Sequence, residues 1–196
     1  VEVSDLFIEN NVVGSMERLG FNYDVVSTWN PRLSMISSTG FGHTGPWSGY
    51  RGNGGQFEAP YGHPAITGYP DMDIEGAPSS VAADASTGVT IAFAAMMCLH
   101  HREKTGRGLY VDISFVENFL PHLGEIFMDY TINGRVAGPT GNQQIGMVQG
   151  AYPCDGDDEW IAITINDIEE WQRLCHIMRI PDLIIVCIFL YMIFLQ

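Results

Sequence analysis

Apolar and polar stretches alternate in the first part of the chain and predict short strands and helices that follow one another. Residues 5–10 form a short apolar run with polar ends, as in a buried strand. A helix is predicted over 22–29, because Asn22 is a favourable cap and Pro31 lacks the amide donor that a continuing helix needs. A strand follows at 34–37. Strands that alternate with helices predict a parallel α/β sheet.

The longest continuous pattern lies between Val81 and Ser114. It predicts a long apolar helix, a basic turn broken by glycine over His100–Gly108, and a returning strand over Leu109–Ser114. The helix carries small residues that would let it pack closely against a sheet: Ala92, Ala94 and Ala95. Asp84 stands where this helix begins, and α/β folds place their functional sites at such boundaries.

The last third of the chain predicts a second, smaller unit. A helix is expected over 115–130, with a kink or a late start at Pro121. The Gly-, Pro- and Asn-containing stretch 131–150 predicts a linker. A β-hairpin that turns at 155–159 follows, and Asp167 begins a final helix.

Composition indicates a folded protein and argues against one class of partner. The 196 residues are 46% hydrophobic and 16% charged, and the formal net charge is −14. A strongly acidic chain is a poor partner for nucleic acid, which requires a basic surface. A phosphorylated cofactor stays possible, since it needs only a few local Arg or Lys side chains.

The residues that most often bind metals do not fall into a metal-binding pattern. The four cysteines lack a CxxC pair and a Cys/His ligand spacing, so neither zinc nor a disulfide framework is expected. Asp71, Asp73 and Glu75 alternate, but the full calcium-loop pattern is absent. We therefore expect no metal, and reduced thiols favour a cytoplasmic protein.

The two ends of the sequence are unusual. The chain opens at Val1 rather than Met and enters a predicted strand at once, so we expect that the N-terminus has been cut. Residues 183–195 are uncharged and mostly apolar, but they are fewer than the roughly 20 that span a bilayer. A folded terminus of this kind would expose a large apolar patch. Our hypothesis is that the tail 183–196 is not native sequence, and we expect no membrane partner.

Asp84 admits two interpretations from the residues alone. Aspartate is among the best N-cap residues, and Ser86 and Thr87 could share that role. Alternatively, Asp84 is a catalytic carboxylate held at an element boundary.

A resemblance bears on that choice. Asp84-Ala85-Ser86-Thr87-Gly88, the basic run from Arg102 to Gly108 and Val111-Asp112-Ile113-Ser114 resemble the signature of the class III CoA-transferases, the CaiB/BaiF family. The similarity extends over about residues 5–182. It implies that Asp84 is the catalytic nucleophile and that coenzyme A, as an acyl-CoA, is the substrate.

The same resemblance implies residues that contact coenzyme A. Ile8-Glu9-Asn10 and Arg18-Leu19-Gly20 match a run that lies on the CoA nucleotide, although Asn11-Val12-Val13 departs from the usual Phe-Arg-Pro and lacks its cation. The expected CoA-binding residues are Asn10, Arg18, Arg51, Gly52 and Asn53. Arg18 is a phosphate candidate, because a guanidinium pairs phosphate oxygens in a fork, but a solvated helix Arg is an equal alternative.

The implied fold is α/β, part of a Rossmann-like large domain followed by a linker and the start of a small α+β domain. On this basis residues 1–116 belong to the large CoA-binding domain and residues 117–149 form a helix and linker. Residues 150–182 begin the small domain, and 183–196 are the apolar tail. Family members form an interlocked homodimer, and a chain of this length is expected to be too short for that ring.

The implied reaction moves CoA from an acyl-CoA to a carboxylic acid through an acyl-aspartyl anhydride and an aspartyl-CoA thioester. Two alternatives stay open. One is an acyl-CoA racemase or epimerase of the same superfamily, although Asn53 stands where those enzymes carry a histidine and cannot shuttle a proton at neutral pH. The other is a non-catalytic CoA-binding fragment.

Overall fold

The computed structural model describes residues 1–73, 80–143 and 147–183. The chain divides into two compact units, the first made of residues 1–66 and 77–137 and the second of 67–76 and 138–196. Glu75 lies outside the described residues, and so does all of the apolar tail beyond residue 183. The domain boundaries inferred from the family resemblance stay a prediction.

The first unit contains most of the regular structure. Its elements in chain order are β1 (Leu6–Glu9), α1 (Ser15–Leu19), α2 (Tyr23–Trp29), β2 (Ser34–Thr39), α3 (His63–Ile66), α4 (Ala82–Thr105), β3 (Tyr110–Ser114), α5 (Phe115–Phe119) and α6 (Gly124–Asn133). Short 3-10 turns occupy Gly54–Phe57, Ala59–Tyr61 and Leu120–Leu123. Asn22 accepts a hydrogen bond from the Val25 amide at 3.3 Å, as its predicted capping role requires.

The sheet of this unit is parallel, as predicted, with the strand order β1-β2-β3. Ile36 on β2 pairs with Ile8 on β1 and with Val111 on β3. All six residues of the central strand β2 are buried, as expected for a parallel strand covered on both faces.

Successive residues of β2 point to opposite faces, and each face has its own apolar core. Met35 packs with Val26 of α2 and with Leu33, whereas Ile36 packs with Ala94 and Cys98 of α4. Of the three alanines expected to bring α4 close to the sheet, Ala94 is buried and Ala95 is partly buried. Ala92 is exposed, which corrects that expectation, because it lies on the opposite side of the helix.

A third apolar cluster surrounds the beginning of α4. It joins Ala83 to Phe57 in the first 3-10 turn and to Phe115, Val116 and Phe119 of α5. The break expected at Pro121 is present, since a 3-10 turn at this position separates α5 from α6. The cluster therefore holds the first turn of α4 between the loop that follows β2 and the helix that follows β3.

Helix α4 is also long and apolar enough, by length and composition, to cross a membrane. This is weak evidence for a membrane segment, because the core helix of a soluble domain can pass the same test. In the fold, α4 packs against the sheet through Ala94 and Cys98 and exposes Val89, Phe93 and Met96 on its other side.

The second unit contains the predicted β-hairpin and final helix. β4 (Val148–Pro153) pairs antiparallel with β5 (Trp160–Ile165), and α7 spans Ile168–Met178. Asp167 caps α7 by accepting a hydrogen bond from the Glu170 amide at 2.8 Å.

Candidate functional site

A cavity of about 450 Å³ opens at the carboxyl ends of the three parallel strands. Its lining includes Asn10, directly after β1, Thr39 and Gly40 at the end of β2, and Phe115, directly after β3. Ligands of open α/β sheets bind at this edge, because the loops that follow the strands converge there. The cavity is the site that the fold itself favours.

Five of the six predicted site residues line this cavity: Asn10, Arg51, Gly52, Asn53 and Asp84. They come from three parts of the chain, namely the end of β1, the glycine-rich loop after β2 (residues 40–62) and the first turn of α4. Arg18 is not among the lining residues. Its Nη2 donates to the Ser15 hydroxyl at 3.0 Å within α1, which favours its alternative interpretation as a solvated helix arginine.

Asp84 does not cap its helix, so the capping interpretation is wrong. The N-cap position belongs to Val81, and Asp84 is the third residue of α4. The Asp84 side chain is exposed, and it forms no hydrogen bond or ion pair within the described parts of the chain. The physical reason is that α4 begins at Ala82, one turn earlier than a cap at Asp84 would require. The carboxylate of Asp84 therefore lies at the cavity without a capping role.

Glu58 supplies the acceptor that the α4 N-terminus needs. Its Oε1 accepts from the Ala83 amide at 3.1 Å, and its Oε2 accepts from the Ser80 hydroxyl at 2.9 Å and from His63 Nδ1 at 2.6 Å. Glu58 is only 2% exposed. Burial alone would raise the pKa of its carboxyl, but the bonds from Ala83, Ser80 and His63 outweigh burial and lower that pKa below its usual range.

Sequence reasoning missed Glu58, although one signal was present. It is the only acidic residue between Arg51 and Asp71, and that stretch contains no Lys or Arg that could pair with it. A lone carboxylate in such a stretch is a candidate for a buried, hydrogen-bonded role.

Gly54 brings the glycine-rich loop against Asp84. Its φ is +43°, and a Cβ at this position would lie 3.2 Å from Val81 Cγ1 and 3.8 Å from Asp84 Oδ2. The next turn is held by Gln56, whose Oε1 accepts from the Asn53 amide at 3.0 Å. Glycine at 54 therefore leaves the space beside the carboxylate open.

The loop that follows β2 is anchored to β3. Asp112 accepts from the His43 amide through Oδ2 and from His43 Nδ1 through Oδ1, each at 3.0 Å. Ser114 Oγ donates to the Gly40 carbonyl at 3.3 Å. These bonds fix the path of the loop where it enters the cavity, so this part of the glycine-rich segment is not a free surface loop.

No group of three or more His, Cys, Asp or Glu side chains is placed to hold a metal ion within residues 1–73, 80–143 and 147–183.

Comparison with known proteins finds a matching family and several relatives. The sequence model of CoA-transferase family III matches residues 1–185. The chain is 31% identical to succinyl-CoA–D-citramalate CoA-transferase of Chloroflexus aurantiacus, over 91% of this chain and 44% of that protein. It is 32% identical to acetyl-CoA:oxalate CoA-transferase of Acetobacter aceti, over 93% of this chain and 47% of that protein. The chain thus spans about half the length of these curated relatives.

Solved structures show the same fold. A CaiB/BaiF family protein from Brucella suis aligns with a TM-score of 0.82 at 25% identity, over 92% of this chain and 47% of that one. Rv3272 from Mycobacterium tuberculosis aligns with a TM-score of 0.73 at 23% identity, over 93% of this chain and 47% of that one. Since the family model covers every residue that the structure describes, the chain belongs to CoA-transferase family III.

Proposed function

We propose that the protein transfers CoA from an acyl-CoA to a carboxylic acid, with Asp84 as the nucleophile. The observation that carries this proposal is the position of Asp84, which lines the same cavity as Asn10, Arg51 and Asn53. Its carboxylate has no hydrogen-bond or ion-pair partner among the described residues. A carboxylate without such partners keeps both oxygens accessible for attack on a thioester carbonyl.

The first half-reaction transfers the acyl group and then CoA to Asp84. A carboxylate oxygen of Asp84 attacks the thioester carbonyl, and the C–S bond breaks to give an acyl-aspartyl anhydride and CoA thiolate. The thiolate then attacks the aspartyl carbonyl of the anhydride, which releases the donor carboxylate and leaves an aspartyl-CoA thioester. Each intermediate stays as activated as the thioester, provided that water is excluded.

The second half-reaction repeats these steps with the acceptor. The acceptor carboxylate attacks the aspartyl-CoA thioester, which gives a new anhydride and CoA thiolate. Attack of the thiolate on the acceptor's carbonyl yields the new acyl-CoA and restores the Asp84 carboxylate. The cycle starts from the Asp84 carboxylate and restores it at the end, and the place of Asp84 in the first turn of a 24-residue helix favours that charge.

Arg51 is the cation proposed to bind coenzyme A. It lines the cavity, whereas Arg18 bonds to Ser15 outside that lining. A guanidinium suits the phosphates of CoA because it can donate two parallel hydrogen bonds to phosphate oxygens.

A racemase function is the second candidate, and Asn53 disfavours it. Asn53 lines the cavity at the position where the resemblance expects a histidine in racemases, and an amide cannot exchange a proton at neutral pH. A racemase leaves the acyl–CoA bond intact, so exchange of CoA between two carboxylic acids distinguishes the two functions.

The names of the relatives suggest which substrates to test. Succinyl-CoA and acetyl-CoA are the proposed donors, and small dicarboxylic or hydroxy acids such as citramalate and oxalate are the proposed acceptors. An interlocked homodimer of the full-length protein and a cytoplasmic location belong to the same proposal. The homodimer rests on the family resemblance, and the location rests on the scattered cysteines, which favour reduced thiols.

Trapping of the intermediate tests the proposal. The protein, expressed from its complete gene, is incubated with each acyl-CoA and quenched with hydroxylamine, and the peptide that contains Asp84 is analysed by mass spectrometry. A hydroxamate on Asp84 supports the covalent route. An unmodified Asp84 with CoA still bound would refute it.

A further inference from the structure

We propose that Glu58 is the positioning residue for Asp84: its buried carboxylate holds the first turn of α4 and so fixes the Asp84 carboxylate at the cavity. The anchoring of the turn follows from geometry alone. Its consequence for catalysis rests on the proposed function. Glu58 itself does not line the cavity, so it acts through Asp84 and not on the substrate.

The N-terminus of α4 needs an external acceptor because its own residues supply none. The N-cap is Val81, whose side chain has no polar atom and whose φ of +45° is unfavourable for a β-branched residue. The amides of Ala82 and Ala83 would otherwise lack partners. Ala83 donates directly to Glu58, and Ala82 donates to Ser80 Oγ at 3.4 Å, which in turn donates to Glu58.

Glu58 is itself held rigidly. Its neighbour Phe57 belongs to the same apolar cluster as Ala83, so side-chain packing and the hydrogen bond act on the same pair of segments. His63 Nδ1 donates to the second carboxylate oxygen at 2.6 Å, which leaves both oxygens of Glu58 occupied. A buried carboxylate with full hydrogen bonding is a rigid acceptor.

The geometry explains why this anchor would matter to Asp84. Ala83, which donates to Glu58, immediately precedes Asp84 and is fully buried, whereas Asp84 is exposed. The same first turn lies against Gly54, close to Asp84 Oδ2. A shift of this turn would therefore move the carboxylate relative to the cavity, and displacements of about 1 Å can cost about 100-fold in rate.

The test compares Glu58→Ala, Glu58→Gln and a control, Asn22→Ala, in protein expressed from the complete gene. The control removes another helix cap in the same unit, at α2, without touching α4. Three quantities are measured: amide exchange of peptides covering residues 80–90, the rate of Asp84 trapping with acyl-CoA and hydroxylamine, and the dissociation constant for CoA.

For Glu58→Ala we expect the rate of amide hydrogen exchange at the start of α4 to rise at least about 10-fold and the rate of Asp84 trapping to fall by about 10- to 100-fold. The dissociation constant for CoA should stay within about twofold of the wild-type value. Glu58→Gln should restore most of the trapping rate, because its amide oxygen can still accept from the Ala83 N–H. Asn22→Ala should leave both exchange at residues 80–90 and trapping unchanged.

Two results would overturn the proposal. One is trapping at the wild-type rate in Glu58→Ala, and the other is equal slowing by Asn22→Ala, which would indicate general destabilisation. Absence of any Asp84 adduct in the wild-type protein would instead refute the proposed function. In that case the exchange data still decide the anchoring: unchanged exchange in Glu58→Ala would refute it, and faster exchange confined to the start of α4 would support it.

Discussion

Replacing Asp84 with alanine should remove the chemistry and leave the fold intact. The side chain is exposed and forms no hydrogen bond or ion pair among the residues that the structure describes. The substitution therefore breaks no contact that stabilises the fold. The remaining effects on stability are a lost interaction with the helix dipole and a gain in helix propensity.

Those two effects oppose each other. A carboxylate in the first turn of a helix contributes about 0.3–1 kcal/mol through the dipole. Alanine is favoured over aspartate in a helix by up to about 0.7 kcal/mol. We therefore expect the free energy of unfolding to change by less than about 1 kcal/mol. Loss of the protein carboxylate that carries both covalent intermediates of the proposed cycle should abolish CoA transfer.

Three measurements check this prediction together: chemical denaturation for the free energy of unfolding, titration calorimetry for CoA affinity, and exchange of CoA between two acids for activity. The expected result is normal stability and near-normal CoA affinity with no transfer. Transfer that survives in Asp84→Ala would remove Asp84 from the mechanism. A large loss of stability would instead show that Asp84 has a structural contact, contrary to the geometry.

Three further predictions concern the surroundings of Asp84. Arg51→Ala should weaken CoA binding by about 1–3 kcal/mol in calorimetry, whereas Arg18→Ala should have little effect. Equal losses of affinity in the two variants would contradict the placement of Arg51 in the cavity and of Arg18 outside it. Gly54→Ala should lower the free energy of unfolding by about 1–2 kcal/mol, because the φ of residue 54 is +43°. It should also slow CoA transfer, because the new Cβ approaches Asp84. An unchanged melting temperature would argue against backbone strain at this position. The folded state lowers the pKa of Glu58 below its usual value of 4.5, so the charge of Glu58 stabilises the fold above about pH 4.5, and this contribution is lost as the pH falls through the folded-state pKa. The free energy of unfolding of Glu58→Gln should therefore fall less steeply with decreasing pH than that of the wild type. Identical slopes for the two proteins would contradict this assignment.

Local patterns in the sequence were sufficient for most of the fold. The cap at Asn22, the break at Pro121 and the strand–helix alternation each depend on residues close together in the chain, and all three appear in the structure. The motif around Asp84 likewise indicated the family, which the match over residues 1–185 confirms. Local preferences are visible in a sequence because the residues that express them are neighbours.

The details of the site depended on contacts between distant segments. Glu58, not Asp84, supplies the acceptor at the start of α4, through a bond between residues 25 positions apart. Arg18 matched the family motif as well as Asn10 did, but only Asn10 lines the cavity. The path of the loop that directly follows β2 decides which of these groups meet, and packing of Phe57 with Ala83 in one apolar cluster helps to hold that path. Short-range sequence patterns do not encode such a path, because it minimises the energy of the whole fold and not of any single segment.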